Sequence, residues 1–184
     1  MSRLSVFNFI TLNGFYKGTH EDISWHVHGA EENEYAIGAM DAGNVLLFGR
    51  VTYEMMAGYW TTPEAMKEAP EVAKGMNESE KIVFSTTLKE AGWKNATLIK
   101  KNIVEEVKRL KQSSGKNMTI LGSGSIVTLF AEHGLIDDYE IMIDPVALGK
   151  GTPIFNNIKH PLNLTLKATR AFKSGVVLLS YRKI

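Results

Sequence analysis

Short apolar runs alternate with amphipathic stretches over the first 145 or so residues, after which apolar runs follow one another alone. Residues 4–12 read as a buried strand rich in Val, Phe and Ile, while 13–29 have no period and carry Gly14, Gly18, Asp22 and three histidines. Residues 30–42 predict a helix, with Tyr35, Ile37, Ala39 and Met40 as apolar stations and Gly43 as its stop. Residues 44–48 form a short run typical of a strand buried on both faces. Residues 51–57 read as helical, and 63–77 as a second, more polar helix. Strands are expected at 81–84, 96–99 and 118–121. Residues 103–112 form an amphipathic helix with Ile103, Val104, Val107 and Leu110 on one face, and 125–133 a helix ended by Gly134. The last strands are expected at 138–143, 162–169 and 176–181, the final two joined without a helix. This order predicts an α/β fold: a mainly parallel sheet, helices on both faces and an antiparallel hairpin at one edge. No repeat or linker divides the chain, so residues 1–184 are expected to form one domain.

Composition narrows the function classes. A 44% hydrophobic and 22% charged chain of 184 residues is ordinary for a globular protein. A formal net charge of +1 disfavours nucleic acid or a membrane surface as partner. With no cysteine, disulfides, thiolate catalysis and cysteine-ligated metals are excluded together. The first residues lack the apolar core of a signal peptide, and no apolar run reaches the roughly 20 residues of a membrane helix. The expectation is a cytoplasmic protein acting on a small molecule.

Three strand exits carry the candidate chemistry. Residues 44–48 run into Gly49, Arg50, Val51 and Thr52; residues 81–84 into Ser85, Thr86 and Thr87; residues 118–121 into Gly122, Ser123, Gly124 and Ser125. In an open α/β sheet ligands bind at the carboxyl ends of strands, and a following helix offers free N–H groups and partial positive charge there. Gly49 permits close backbone approach, Arg50 can fork onto a phosphate and Thr52 can add a hydroxyl; equally, the segment makes a tight turn with a surface Arg. Ser85 and Thr86 offer hydroxyls to a ribose or phosphate, or cap a turn. The glycines and serines of 122–125 suit a pyrophosphate, without the third glycine of GxGxxG and without the GK[ST] of a P-loop.

Other residues offer acids and rings. Asp22, Glu31 and Glu32 are candidate proton donors or surface carboxylates, and Trp25 either stacks on a flat ligand or plugs the core. His20, His26 and His28 lack helical ligand spacing, so no metal is expected.

Five segments together, TLNGF (11–15), LLFGRVTYE (46–54), KIVFS (81–85), ILGSGSI (120–126) and PVALGKGTPIF (145–155), resemble the dihydrofolate reductase-like superfamily. The nearer branch is that of the reductase domain of bifunctional riboflavin-biosynthesis enzymes and its stand-alone bacterial relatives. The resemblance implies a three-layer αβα sandwich, NADPH as hydride donor and a homodimer. Carried over, Gly49, Arg50 and Thr52 meet the cofactor's phosphates, with Arg50 on the 2′-phosphate. Ser85 and Thr86 line the adenosine side, and Gly122, Ser123, Gly124, Ser125 and Ile126 hold the pyrophosphate. Thr11, Asn13, Gly14 and Tyr16 form a flexible loop beside the nicotinamide. Many relatives have Ser-x-Asp-Gly where this chain has Thr11, Leu12, Asn13 and Gly14. Trp25 resembles the tryptophan that precedes a substrate-binding acid, a role open to Glu31 or Glu32. The expected activity is reduction of a pyrimidine- or pterin-like small molecule, with Glu32, Asp22 and Trp25 as the catalytic candidates. The alternatives are a true dihydrofolate reductase and a nucleotide-binding protein without turnover.

Overall fold

The computed structural model of the chain describes residues 1–26, 29–41, 43–113 and 115–184, with the backbone alone at 39–41. His28 and Ala42, and the Ala39 and Met40 side chains, therefore lie outside the described residues.

An eight-stranded sheet forms the middle of the molecule. In spatial order it contains β5 (Ala96–Ile99), β4 (Lys81–Phe84), β3 (Val45–Gly49), β6 (Met118–Leu121), β1 (Leu4–Thr11), β7 (Asp138–Asp144), β10 (Val177–Lys183) and β9 (Leu164–Ala171). Pairing from β5 through β7 is parallel, and β10 and β9 complete the sheet antiparallel. The mainly parallel sheet with a C-terminal hairpin is thus the observed architecture.

Alternation along the strands sorts the helices into two outer layers. Val45 and Leu47 of β3 face a core built with Val107 of α5 (Ile103–Ser113) and Ile126, Val127 and Phe130 of α6 (Gly124–Glu132). Leu46 and Phe48 face the other way. They pack with Tyr53 of α2 (Arg50–Trp60), Val72 and Met76 of α4 (Pro70–Glu78) and the half-buried Ala36 and Ile37 of α1 (Ala30–Asp41). A strand with all five residues buried, as in β3, must be covered on both sides, which makes a third layer obligatory.

Two expectations need correction. The helix predicted over 63–77 is two helices, α3 (Pro63–Glu68) and α4, broken at Ala69. Pro70 disfavours the helical region for the residue before it, and Ala69 adopts φ −141°, ψ 68°. The stretch 13–29 is not wholly irregular: β2 (Phe15–Lys17) pairs antiparallel with β8 (Thr152–Pro153) in a separate two-stranded ladder. Runs of two or three residues are too short to show a period.

Tyr139, nearly fully buried on β7, has a hydroxyl with no hydrogen-bond partner among the described residues. Tyr139→Phe is expected to stabilise the fold by about 1 kcal/mol, read as a higher denaturant midpoint at unchanged slope. Nearby, Glu140 accepts hydrogen bonds from the hydroxyls of Tyr35 and Ser180. Burial nevertheless raises its pKa above the ordinary 4.5. The folded state therefore holds this proton to higher pH than the unfolded chain, so the group's contribution to stability is full below pH 4.5 and is lost as pH rises through the raised folded value. Glu140→Gln is expected to flatten that decline in a pH series of unfolding curves.

Candidate functional site

Because β1, β3, β4, β5, β6 and β7 run parallel, their carboxyl ends share one edge of the sheet. A cavity of about 440 Å³ opens there, with walls from the exits of β3, β4 and β6 and from β2. Of the residues predicted at these exits, Gly49, Arg50, Thr52, Ser85, Thr86, Ser123, Gly124, Ser125 and Ile126 line it together with Tyr16. Lys17 and Lys100 also line it and were not anticipated: one lies in a stretch without periodicity, the other one residue beyond the weakest strand pattern.

Hydrogen bonds between the two central exits fix this geometry. The Gly49 N–H donates to the Ser123 hydroxyl at 2.9 Å, and the Ser123 N–H donates to the Thr52 hydroxyl at 3.1 Å. Ser123 in turn donates its hydroxyl proton to the Leu121 carbonyl at 3.1 Å. Ser123 holds a left-handed conformation (φ 57°, ψ 54°) at the N-cap of α6, yet its side chain does not cap the helix. The helix expected over 125–133 starts one residue earlier, at Gly124, with Ser125 inside its first turn. Gly49, at the N-cap of α2, has no side chain to offer.

Two uncapped helix N-termini therefore meet at one cavity. Their first turns contain no acidic residue, whereas the first turns of α1, α3, α4 and α5 each contain at least one. Acidic residues at the other starts answer the helix dipole from within the chain, and these two starts leave it unanswered in their first turns.

Cations surround the same space. Arg50 pairs with Glu54 at 2.8 Å, both well exposed. Lys17 pairs with Glu21 at 2.6 Å; partial burial opposes its charge, but Glu21 and Tyr16 together raise its pKa above the ordinary value. Lys100 donates to the Lys89 carbonyl at 3.1 Å. An exposed pair such as Arg50–Glu54 is worth little, about 1 kcal/mol or less, so a phosphate can displace that carboxylate. The Tyr16 ring lies over Gly124, where an added Cβ would stand 2.7 Å from Cε1. Ser85 both lines the cavity and caps a turn, accepting from the N–H groups of Thr87 and Leu88 at 3.2 and 2.9 Å.

Other predicted residues sit elsewhere. Thr11 is fully buried, donating its hydroxyl to Asn13 at 2.8 Å and accepting from the Phe15 N–H at 3.0 Å. Asn13 donates to the Leu148 carbonyl at 2.7 Å. Thr11, Asn13 and Gly14 thus shape the loop after β1 and do not line the cavity, nor does Gly122, which packs against Thr52. The catalytic candidates are not brought together with the cavity either. Glu32 is buried and accepts the Ser174 hydroxyl proton in the β9–β10 turn. Asp22 is exposed, and the Ser24 N–H holds its carboxyl below the usual range, which favours the ionised form and not a proton donor. Trp25 donates to the Asp22 carbonyl at 3.1 Å and meets the Phe9 ring edge-on at 5.9 Å. Glu31 accepts from the Lys173 N–H at 2.9 Å.

Sequence reading also missed a buried hydrogen-bonded pair at the same edge. His26 Nδ1 lies 3.0 and 2.9 Å from the two carboxylate oxygens of Asp144, with its ring stacked on Phe9 at 3.8 Å. The partners are 118 positions apart, so no local pattern links them. Among the described residues no three His, Asp or Glu side chains converge as a metal site, and no helix is long and apolar enough to cross a membrane.

A sheet of this order, with a cavity at the exits of β3, β4 and β6, defines a class of three-layer, mostly parallel α/β proteins. The family described as the RibD C-terminal domain matches residues 3–178, and the chain belongs to that family. It is 34% identical over 175 residues to the uncharacterized protein YyaP of Bacillus subtilis (strain 168), covering 94% of this chain and 90% of that one. A riboflavin-biosynthesis candidate from Shewanella sp. PV-4 superimposes with a TM-score of 0.78 at 20% identity, covering 99% of both chains. The Thermotoga maritima diaminohydroxyphosphoribosylaminopyrimidine deaminase/5-amino-6-(5-phosphoribosylamino)uracil reductase gives a TM-score of 0.68 at 14% identity, covering all of this chain and 57% of that one. At such identities the likeness to the solved structures establishes the dihydrofolate reductase-like fold.

Gly122 has φ +59°, and an added Cβ would lie 3.0 Å from the Thr52 methyl. Gly122→Ala is expected to cost about 1–2 kcal/mol in chemical unfolding, from left-handed strain alone.

Proposed function

We propose that this protein is an NADPH-dependent reductase of a pyrimidine- or pterin-like small molecule, with a role akin to 5-amino-6-(5-phosphoribosylamino)uracil reductase. The observation that carries the reading is the meeting of two uncapped helix N-termini, free of first-turn acids, with Arg50, Lys17 and Lys100 around one cavity. One anionic group needs one such terminus; two termini and three cations suit a ligand bearing several phosphates. Membership of the RibD C-terminal family points to the same class of ligand.

The residues present fit a phosphorylated dinucleotide. The backbone at Gly49 and Gly124 lets phosphates approach the starts of α2 and α6 without side-chain obstruction. Arg50 would exchange Glu54 for the 2′-phosphate, while Ser85 and Thr86 would face the adenosine. Tyr16 and Lys17 would close the space over α6. When bound, NADPH supplies the hydride, and the chain's part is to hold the two reactants in register and exclude water. The proton for the reduced centre would come from ordered water or from a group on the β1–β7 side of the edge.

A second reading, a nucleotide-binding protein without turnover, is favoured by one observation: Glu32, Asp22 and Trp25 all lie away from the cavity. Fluorescence titration with NADPH and NADH tests the common part, and micromolar binding with preference for NADPH is expected. Arg50→Ala is expected to weaken NADPH by about 1.5–3 kcal/mol while leaving NADH nearly unchanged. Equal losses for both cofactors would remove the 2′-phosphate role. Oxidation of NADPH with 5-amino-6-(5-phosphoribosylamino)uracil or dihydrofolate selects the reductase and its substrate; tight binding with no oxidation selects the second reading.

A further inference from the structure

The segment between β1 and α1 is tied at both ends to one residue. Thr11, the last residue of β1, stands opposite Asp144 in the β1–β7 register, and the chain returns at His26 to the Asp144 carboxylate. Asp144 is fully buried and the His26 side chain nearly so, with its ring flat against Phe9. Between these ends residues 12–17 run along the segment after β7. Leu12 N–H donates to the Val146 carbonyl at 2.8 Å, Asn13 brackets Leu148, and Phe15 and Lys17 pair with Pro153 and Thr152. The approach at the tip is close: an added Cβ on Gly151 would stand 2.6 Å from the Lys17 carbonyl oxygen. The result is a compact loop with its ends together, of the Ω type. Its tip supplies Tyr16 and Lys17, the wall over the N-terminus of α6.

We propose that Asp144, acting through His26, is a positioning residue: the pair is the clasp that keeps residues 12–25 closed, so that Tyr16 and Lys17 remain in place against a bound nucleotide. This rests on the nucleotide reading above. The physical argument is one of closure. The ladder at the tip spans only two or three residues on each strand, and the bonds of Leu12 and Asn13 hold only the outgoing side of the loop, so its return is held at His26. The clasp removes the loop-closure entropy at its base. Neither residue lines the cavity, so an effect on the nucleotide must pass through the loop.

Limited trypsin digestion combined with NADPH dissociation kinetics tests the clasp on the full chain. Lys17 is a tryptic site at the loop tip, and in the native protein its pairing to Glu21 and β8 is expected to protect it. His26→Phe keeps a flat ring for Phe9 and removes the bond to Asp144. It is expected to speed cleavage after Lys17 and NADPH dissociation by about tenfold each, with cleavage at other sites unchanged. Asp144→Asn, which still accepts the Nδ1 proton, is expected to move both in the same direction by less, and it serves if His26→Phe fails to fold. Unchanged cleavage after Lys17 overturns the clasp. Faster cleavage with an unchanged NADPH off-rate overturns the positioning role while leaving the nucleotide reading intact. A rise in cleavage at every site identifies a general loss of stability and overturns both. Absence of NADPH binding by the native protein overturns the nucleotide reading itself, and the positioning role with it.

Discussion

The bond from the Gly49 N–H to the Ser123 hydroxyl, answered by the bond from the Ser123 N–H to Thr52, is the contact on which the site depends. Both residues follow parallel strands that are neighbours in the sheet, so their exits lie side by side. Tying them together uses the Ser123 hydroxyl that would otherwise cap α6, while Gly49 at the start of α2 has no side chain to offer. Two helix starts are thereby aimed, uncapped, at the same space. The left-handed conformation at Ser123 costs about 1–2 kcal/mol, and the three hydrogen bonds around it offset that cost.

The charge pattern follows from the same arrangement. Elsewhere the chain places Glu in the first turn of its helices, and the dipole is satisfied internally. At the two starts facing the cavity it places Arg50 and small or hydroxyl residues instead. The carboxylates Glu54 and Glu21 sit one helical turn or loop away and hold the cations while no stronger anion is present. Such exposed pairs exchange readily for a phosphate because solvent already screens them.

The far side of the edge is built differently. Around β1 and β7 several polar groups are paired within the chain: Thr11 with Asn13 and Phe15, Asp144 with His26, Glu140 with Tyr35 and Ser180. One half of the edge is exposed and exchangeable, which suits binding, and the other is rigid, which suits orientation. The separation of Glu32, Asp22 and Trp25 from the cavity belongs to this division. These residues fasten α1 and the loop before it to the β9–β10 turn and to Phe9.

The strands, most helices and the three-layer order were legible in the sequence because burial on one or both faces imposes a local period that the side chains must obey. The break at Ala69 was missed because the polar pattern across 63–77 outweighed a single Pro70. That the exits at Gly49, Ser85 and Ser123–Ser125 carry a shared cavity was legible because small, hydroxyl and cationic residues follow each strand directly. What no local pattern carries is the pairing of distant segments. That Thr52 braces Ser123, that Tyr16 covers Gly124, that β2 meets β8 and that His26 returns to Asp144 were decided only when the sheet order brought residues 71, 108 and 118 or more positions apart into contact. Hydrophobic period is a property of neighbours in sequence, whereas a hydrogen bond or ion pair is a property of neighbours in space. The sequence therefore determined the layers and the ligand edge, and tertiary structure alone determined which polar groups at that edge face a ligand and which are spent on holding the edge together.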